Sequence, residues 1–506
     1  MRELNGNANR QRWPHALPRL GLASLCLLGF CIGTAFGSPP TAPGRLQVAP
    51  DSTGMIGVYK LDGPLDRSNP FFQSLGTNGR SCATCHDSAQ AMSITPASAQ
   101  HRFEETDGTD PLFSNIDGAN CPSVLRSDRA GHSLLLRSGL IRVGIAIPAD
   151  AEYSISVVHD PYGCALQVDS KTGLLTASVY RRPLPAANLV FLSGVMFDGR
   201  ETVLPLTNAA TFAANLRADL VHQVIDATFG HAQAATSPTD AQVNAIVDFE
   251  LALFTGQIWD ERAGSLAADG ALGGPRNLAV QNYYPGVNDT LGQDPFGLPF
   301  NSNAMGLFDA WARPNPEIDE DQLEARAAIV AGERLFNAAP IKITNVRGLN
   351  DNPALNRPTS FIGHCTSCHD TPNVGNHSLP LPLDIGTSHS ASSNFEADPA
   401  VVAGMSQLSV PNLPVFLIAG CPNPFTTGQA ESFYTTDPGR ALLTGRCADF
   451  NRVKGPVLRG LAARAPYFHN GAASSLRQVV NFYNQRFQMG LTETQTTQIT
   501  AFLRSL

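Results

Sequence analysis

Two short runs concentrate the residues that could do chemistry: Cys82-Ala-Thr-Cys85-His86 and Cys365-Thr-Ser-Cys368-His369. Each reads C-x-x-C-H, the covalent attachment site of a c-type haem. In such a site the two thiols add to the vinyl groups, and the adjacent imidazole is placed to bind iron. With 10 Cys and 12 His among 506 residues, chance supplies about 0.005 copies of the pattern, so two copies point to two haems. A zinc site would need the two pairs to converge and has no use for a His after each. A thioredoxin-like dithiol wants a βαβ context, which the flanking sequence lacks. Cys82, Cys85, Cys365 and Cys368 are thus the expected attachment residues, with His86 and His369 as iron ligands.

The remaining chain constrains the setting. Arg2, Arg10, Arg12 and Arg19 precede an apolar run from Leu20 to Phe36 and small residues at Ala35 and Gly37, which reads as a signal peptide over 1–37. A retained membrane anchor is the alternative reading of that run. Cleavage would leave 31 basic and 42 acidic residues, an exported, periplasmic and soluble chain of net charge −11. No basic tract stands out, which argues against nucleic acid as a partner. No later segment is apolar enough to span a bilayer. Outside the signal and the haem motifs four cysteines remain, Cys121, Cys164, Cys421 and Cys447. They allow three connectivities, and proximity favours 121 with 164 and 421 with 447.

The two motifs lie 283 residues apart, far enough for two domains. An internal echo supports duplication. Thr239-Asp-Ala-Gln242 and Thr492-Glu-Thr-Gln495 both read as capping boxes. Counted from each Thr, Ile246 matches Ile499, Phe249 matches Phe502 and Leu253 matches Leu506, and the second set lies on one helical face. The expected organisation is an N-terminal haem domain over 38–256, a Gly-, Pro- and Asn-rich linker over 257–319, and a C-terminal haem domain over 320–506 that opens with a helix from Glu320 to Phe336. β-branched, alternating residues between about 140 and 190 predict a small β-rich insertion in the first domain.

Further motifs carry a family resemblance. Pro456-Val-Leu-Arg459 is followed by Ala465-Pro-Tyr-Phe-His469-Asn-Gly471, by Leu476, and by Val479-Val-Asn-Phe-Tyr483, while the first half carries Phe197-Asp-Gly-Arg200. With the two haem motifs, these resemble the diheme cytochrome c peroxidase superfamily, which includes MauG. The resemblance covers most of the mature chain, weakly at 121–190 and 257–319. It implies a mainly α fold, with two cytochrome-c-like domains in tandem, long loops and the β-rich insertion. It also implies two covalently bound haems c. The first would react with hydrogen peroxide, and the second would pass electrons from a small periplasmic cytochrome or copper protein. Relatives are often homodimers.

The same resemblance supplies candidate site residues. Where peroxidases of the family place a Met ligand on the second iron, this chain has Tyr483, as MauG-like members do. A phenolate favours ferric and higher states, whereas a thioether favours ferrous iron. Met489 and Met405 are the alternatives. The family uses a Gln and, ten residues later, a Glu near the reactive face of the first haem. Here Gln223 and Gln233 take those positions, with His231 or Glu201 as substitutes for the missing carboxylate. His101, His132 and His159 are candidates for a loop ligand that closes the resting site. Phe197 stands where relatives carry an inter-haem Trp. A calcium ion between the haems is implied at the carbonyls of Arg464 and Pro466, with the side chain of Asp117 or Asn120. The function this supports is a peroxidase-type oxidoreductase. A MauG-like oxidase acting on a partner protein, a diheme electron carrier and an oxygenase remain open.

Overall fold

The computed structural model describes residues 45–506 apart from 171, 390–397 and 426–428. The expected signal peptide, 1–37, lies outside the described residues. Among those described, no helix is long and apolar enough to cross a membrane.

Both predicted capping boxes form. The helices Asp240–Leu251 and Glu493–Arg504 each begin with the Thr hydroxyl accepting from the third amide and the Gln side chain accepting from the Thr amide. Two orphan amides are satisfied at each start, which fixes where each helix begins. The echoed residues Ile246, Phe249, Leu253, Ile499, Phe502 and Leu506 are all buried. In the first half they join Leu216, Leu220 and Val224 of the helix Phe212–Gly230. In the second half the last helix packs on Glu320–Ala338, with Phe336 and Phe502 rings 5.3 Å apart. Gly332 permits that crossing, because a Cβ there would lie 1.9 Å from the Gln498 carbonyl oxygen.

Strands take a larger share than the sequence suggests. Helix accounts for 30% and strand for 17%, so "mainly α" understates the four sheets found among the described residues. The hairpin Arg45–Asp51 and Gly54–Lys60 pairs antiparallel with Leu253–Asp260, Gly57 facing Gly256. The predicted β-rich stretch is real but divided. Ile141–Ala146, Leu175–Arg181 and Leu166–Val168 form one sheet. Ser154–His159 leaves it and pairs with Val415–Pro422 of the second half, so the stretch bridges the halves rather than decorating the first. The disulfides join Cys121 to Cys164 and Cys421 to Cys447, the pairing that proximity favours.

Residues 257–319 do more than connect. Met305, Leu307, Phe308 and Trp311 are buried in the core of the second half, where Glu333 accepts from the Leu307 and Phe308 amides. This segment is irregular in backbone yet packed as core, because its apolar residues are clustered rather than periodic.

Candidate functional site

The two C-x-x-C-H runs fold into the same turn. In each, the amides of the second Cys and of the His donate to the carbonyl of the first Cys, at 3.2 and 3.1 Å in one and 3.2 and 3.0 Å in the other. A hydroxyl two residues after the first Cys, Thr84 or Ser367, accepts from the amide of the residue preceding that Cys. His86 Nδ1 lies 3.0 Å from the Met92 carbonyl oxygen, and His369 Nδ1 lies 2.8 Å from that of Gly375, six residues on in both cases. Donation there leaves Nε2 as the lone-pair nitrogen, the arrangement that orients a metal-binding imidazole. Burial pushes the His86 pKa down and that of His369 down to about 4, so both rings are neutral at neutral pH. Burial likewise pushes the Cys82 thiol up and holds Cys365 and Cys368 at about 12, which suits neither a thiolate nucleophile nor a redox pair.

Each turn lines its own cavity. The first, around Cys82, Cys85 and His86, encloses ≈ 1650 Å³ of atom-free space including an open side, and the second, around Cys365, Cys368 and His369, ≈ 1870 Å³. Arg182, Pro183, Leu184, Phe197, Lys454 and Pro456 line both, forming the partition between them. Phe197 is held there from both sides. Its carbonyl accepts from the Lys454 amide at 2.7 Å, and the following Asp198 binds Arg181 at 2.6 Å. Arg181 in turn forks onto Asp437 at 2.7 and 2.9 Å, and all three charges are buried. The Phe-Asp-Gly-Arg run of the first half is thereby locked to the second. His469 lies beside this network, 3.6 Å from Asp437 and with its ring 6.1 Å from that of Phe197.

Whether a haem suits these cavities can be judged from the charges around them. Among the described residues the side chains of Arg182, Lys454, Arg459 and Arg464 hydrogen-bond only to carbonyls. Arg459 Nε and Nη1 have no hydrogen-bond partner among the described residues, and Glu333 is the one carboxylate near enough to favour its charge. Burial lowers Lys454 to about 8, Arg182 to about 9, and Arg459 and Arg464 to about 10. Buried cations without anions are costly. A ligand carrying two carboxylates, as haem does, would supply the missing partners. Two thiols, a His whose Nδ1 faces a backbone carbonyl, and buried cations bonded to carbonyls around each cavity fit that group.

The other expected residues divide. Gln223, on the helix Phe212–Gly230, and His231, which ends it, line the first cavity. His231 Nδ1 is bonded to Asp117, and Asp117 is also bonded to Arg80. Burial opposes the Asp117 charge, but Arg80 and His231 outweigh it and hold its pKa below the usual value. Gln233 is not brought to the cavity. The helix stops at Gly230, the backbone turns with Gln233 at φ 55°, and its exposed side chain bonds Asn78 at 3.3 Å. Glu201 is buried away from the cavity, paired with His222 at 2.8 Å. His101 sits exposed against Glu105, His132 is a core residue bonded to the Gly118 carbonyl, and His159 is exposed beside Asn412.

In the second cavity Tyr483 and Met489 both line the wall, while Met405 packs behind against Phe482. Burial pushes the Tyr483 pKa up, and its ring stacks on Phe487 at 6.1 Å. Three of the four donors of the calcium placement between the cavities already have partners. Asp117 holds Arg80 and His231, Asn120 accepts from the Leu134 amide, and the Arg464 carbonyl accepts from the cationic Arg182.

One residue of the first cavity escaped the sequence reading. Glu250 is 6% exposed, lines the wall, and has Oε2 without a partner. Burial alone pushes its pKa to about 8, so it is a neutral acid at pH 7. Its only sequence signal is a carboxylate among Val247, Phe249 and Leu253.

Comparisons with known proteins agree with this chemistry over part of the chain. No protein-family model matches. The chain is 30% identical over 151 residues to cytochrome-c peroxidase IdrP2 of Denitromonas iodatirespirans, covering 28% of this chain and 36% of that protein. It is 36% identical over 83 residues to cytochrome c551 peroxidase of Nitrosomonas europaea, covering 16% of this chain and 25% of that protein. The chain thus spans about a third or less of the curated relatives it matches. A solved MauG-like protein associated with microbial copper homeostasis aligns over 68% of this chain and 79% of its own, at 14% identity and a TM-score of 0.26. Both sequence matches are to proteins named as cytochrome c peroxidases, each over a limited stretch of this chain.

Proposed function

We propose that the protein is an exported diheme c-type cytochrome with peroxidase-type activity, built as two haem domains joined through 257–319. In this reading hydrogen peroxide is reduced in the first cavity, and electrons from a small donor protein enter through the second. The observation that carries it is the pairing of two equivalent C-x-x-C-H turns with two cavities that share one wall. Haem iron held by His86 and by His369 would supply peroxide cleavage and one-electron transfer.

The chain's own residues have distinct tasks. Cys82, Cys85, Cys365 and Cys368 fix the cofactors covalently. Arg182, Lys454, Arg459 and Arg464 neutralise their carboxylates. Peroxide cleavage needs a proton moved between the two oxygens. His231 takes that role, with Asp117 fixing its tautomer and Gln223 orienting the substrate, while the neutral acid Glu250 holds a proton in the same cavity. Phe197 packs between the cavities, where its high oxidation potential would make it a poor relay for electrons moving between haems held there. A haem-content assay by alkaline pyridine should give two c-type haems per chain, and Cys365→Ala with Cys368→Ala should give one. A content of one in the parent protein would refute the reading.

Tyr483 favours a second reading, oxidation of a partner protein's side chains. As a ligand of the second iron it would stabilise oxidised states, and a purified protein consuming peroxide without a cytochrome donor would support it.

A further inference from the structure

Six buried side-chain oxygens without a partner of hydrogen-bond geometry fall on two facing loops: Tyr283 OH and Asp289 Oδ1 on one, and Asp370 Oδ2, Thr371 Oγ1, Asn376 Oδ1 and Ser378 Oγ on the other. All six residues are at most 5% exposed, and five of them are at 0%. The loops are tied together. The Gly286 amide donates to the Ser378 carbonyl at 3.0 Å, and Asn288 Nδ2 donates to the Asp370 carbonyl at 3.0 Å. Within the second loop, the Ser378 amide holds Asp370 Oδ1 at 2.7 Å and the Thr371 amide holds the Asn376 carbonyl at 2.9 Å.

The chemistry of this cluster is one-sided. Asn288, the chain neighbour of Asp289, bonds the Asp370 carbonyl, which brings the two carboxylate-bearing positions together across the loops. Their satisfied oxygens bond to the amides of Leu291, Gln293 and Ser378, and the Ser378 hydroxyl also lies beside Asp370. No ion pair with Lys or Arg involves either carboxylate among the described residues. His377, which faces Asp289, is kept neutral by burial, and Asp294 adds a further carboxylate on the same loop. The Asn376 amide nitrogen is committed to the Phe191 carbonyl, which leaves its oxygen as the available atom. Two carboxylates, an amide oxygen and two hydroxyls, with no nitrogen or sulfur, are the donor set of a hard cation. Neutral oxygens on an irregular loop suit the larger, more adaptable coordination of calcium over the strict octahedron of magnesium.

We propose that Asp289 and Asp370, with Asn376, Thr371 and Ser378, form a buried calcium site clasping the loop that follows His369. This place is distinct from the one between the cavities that the family resemblance implies. The loop includes the Gly375 carbonyl that orients His369, so calcium would steady the second haem-binding turn. Calcium binding itself does not depend on the peroxidase reading and can fail or succeed separately from it.

The test uses the haem-loaded full chain, calcium analysis by mass spectrometry before and after EGTA dialysis, and calorimetric titration with calcium chloride. One equivalent should bind, and its removal should perturb the optical spectrum of the second haem and lower Tm. Asp289→Asn should weaken binding at least about 100-fold, as loss of one of two carboxylates implies. If that variant does not fold, Thr371→Val decides: about tenfold weaker binding supports the site, and unchanged affinity overturns it. No binding at millimolar calcium, or equal affinity for magnesium, also overturns it, and the cluster is then a protonated carboxyl pair with buried water.

Discussion

Glu250→Gln isolates the energetic consequence of placing a carboxyl in the first cavity. In the unfolded chain this carboxyl has an ordinary pKa of 4.5, and in the folded protein burial raises it to about 8. Between those values the native state keeps a proton that the unfolded state has released, so stability falls as pH rises. The slope is about 1.4 kcal/mol per pH unit. The accumulated cost is ~3 kcal/mol at pH 7 and ~5 kcal/mol once the folded carboxyl has ionised. It vanishes below the unfolded value, where both states are protonated. Gln keeps the shape without the ionisation, so the variant should match the parent at pH 4 and be more stable by ~3 kcal/mol at pH 7. Urea unfolding of the haem-loaded protein, followed by far-ultraviolet circular dichroism at several pH values, reads the difference directly. A gap that stays constant from pH 4 to 9 would refute the reasoning, because it would mean that Glu250 ionises with the same pKa in the folded and the unfolded chain.

Three further perturbations probe the rest of the molecule. Tyr483→Phe should alter the optical spectrum and raise the potential of the second haem, and an unchanged spectrum would leave Met489 as the ligand on that wall. His231→Ala should slow peroxide cleavage by about 10²–10⁴, with Asp117→Asn slowing it less and moving its pH profile; parent-like rates in both would remove the pair from proton transfer. Cys421→Ser should lower stability by roughly 3–4 kcal/mol, the loop-closure value for a separation of 26 residues, read as a drop in the urea midpoint relative to the parent.

What could be read from the sequence follows physical locality. The haem turns, the capping boxes at Thr239 and Thr492, and the disulfide partners are set by residues close in the chain, and the structure forms each of them. The strand Ser154–His159 was legible as a strand, but its partner, 415–422, is remote and β pairing carries no local signature. The core role of Trp311 and Phe308 was hidden because their segment has no period to reveal a buried face. In the site, Gln223 and His231 reach the first cavity because one helix carries them there. Gln233 fails because counting ten residues along a chain presumes that the helix continues, and it ends at Gly230. Glu250 had only a faint signal, a carboxylate in an apolar stretch, and the buried cationic roles of Lys454, Arg459 and Arg464 had none, since the cost of burial depends on neighbours brought together by folding.

The central claim is an open, peroxide-reactive haem in the first cavity working with a second haem across a shared wall. The most direct measurement mixes the fully ferric protein with one equivalent of hydrogen peroxide and follows paramagnetic resonance and optical spectra from milliseconds to seconds. The account predicts rapid loss of a high-spin ferric signal, either at once or after one haem has been reduced. A signal that persists in both the ferric and the half-reduced protein would contradict it and leave an electron carrier.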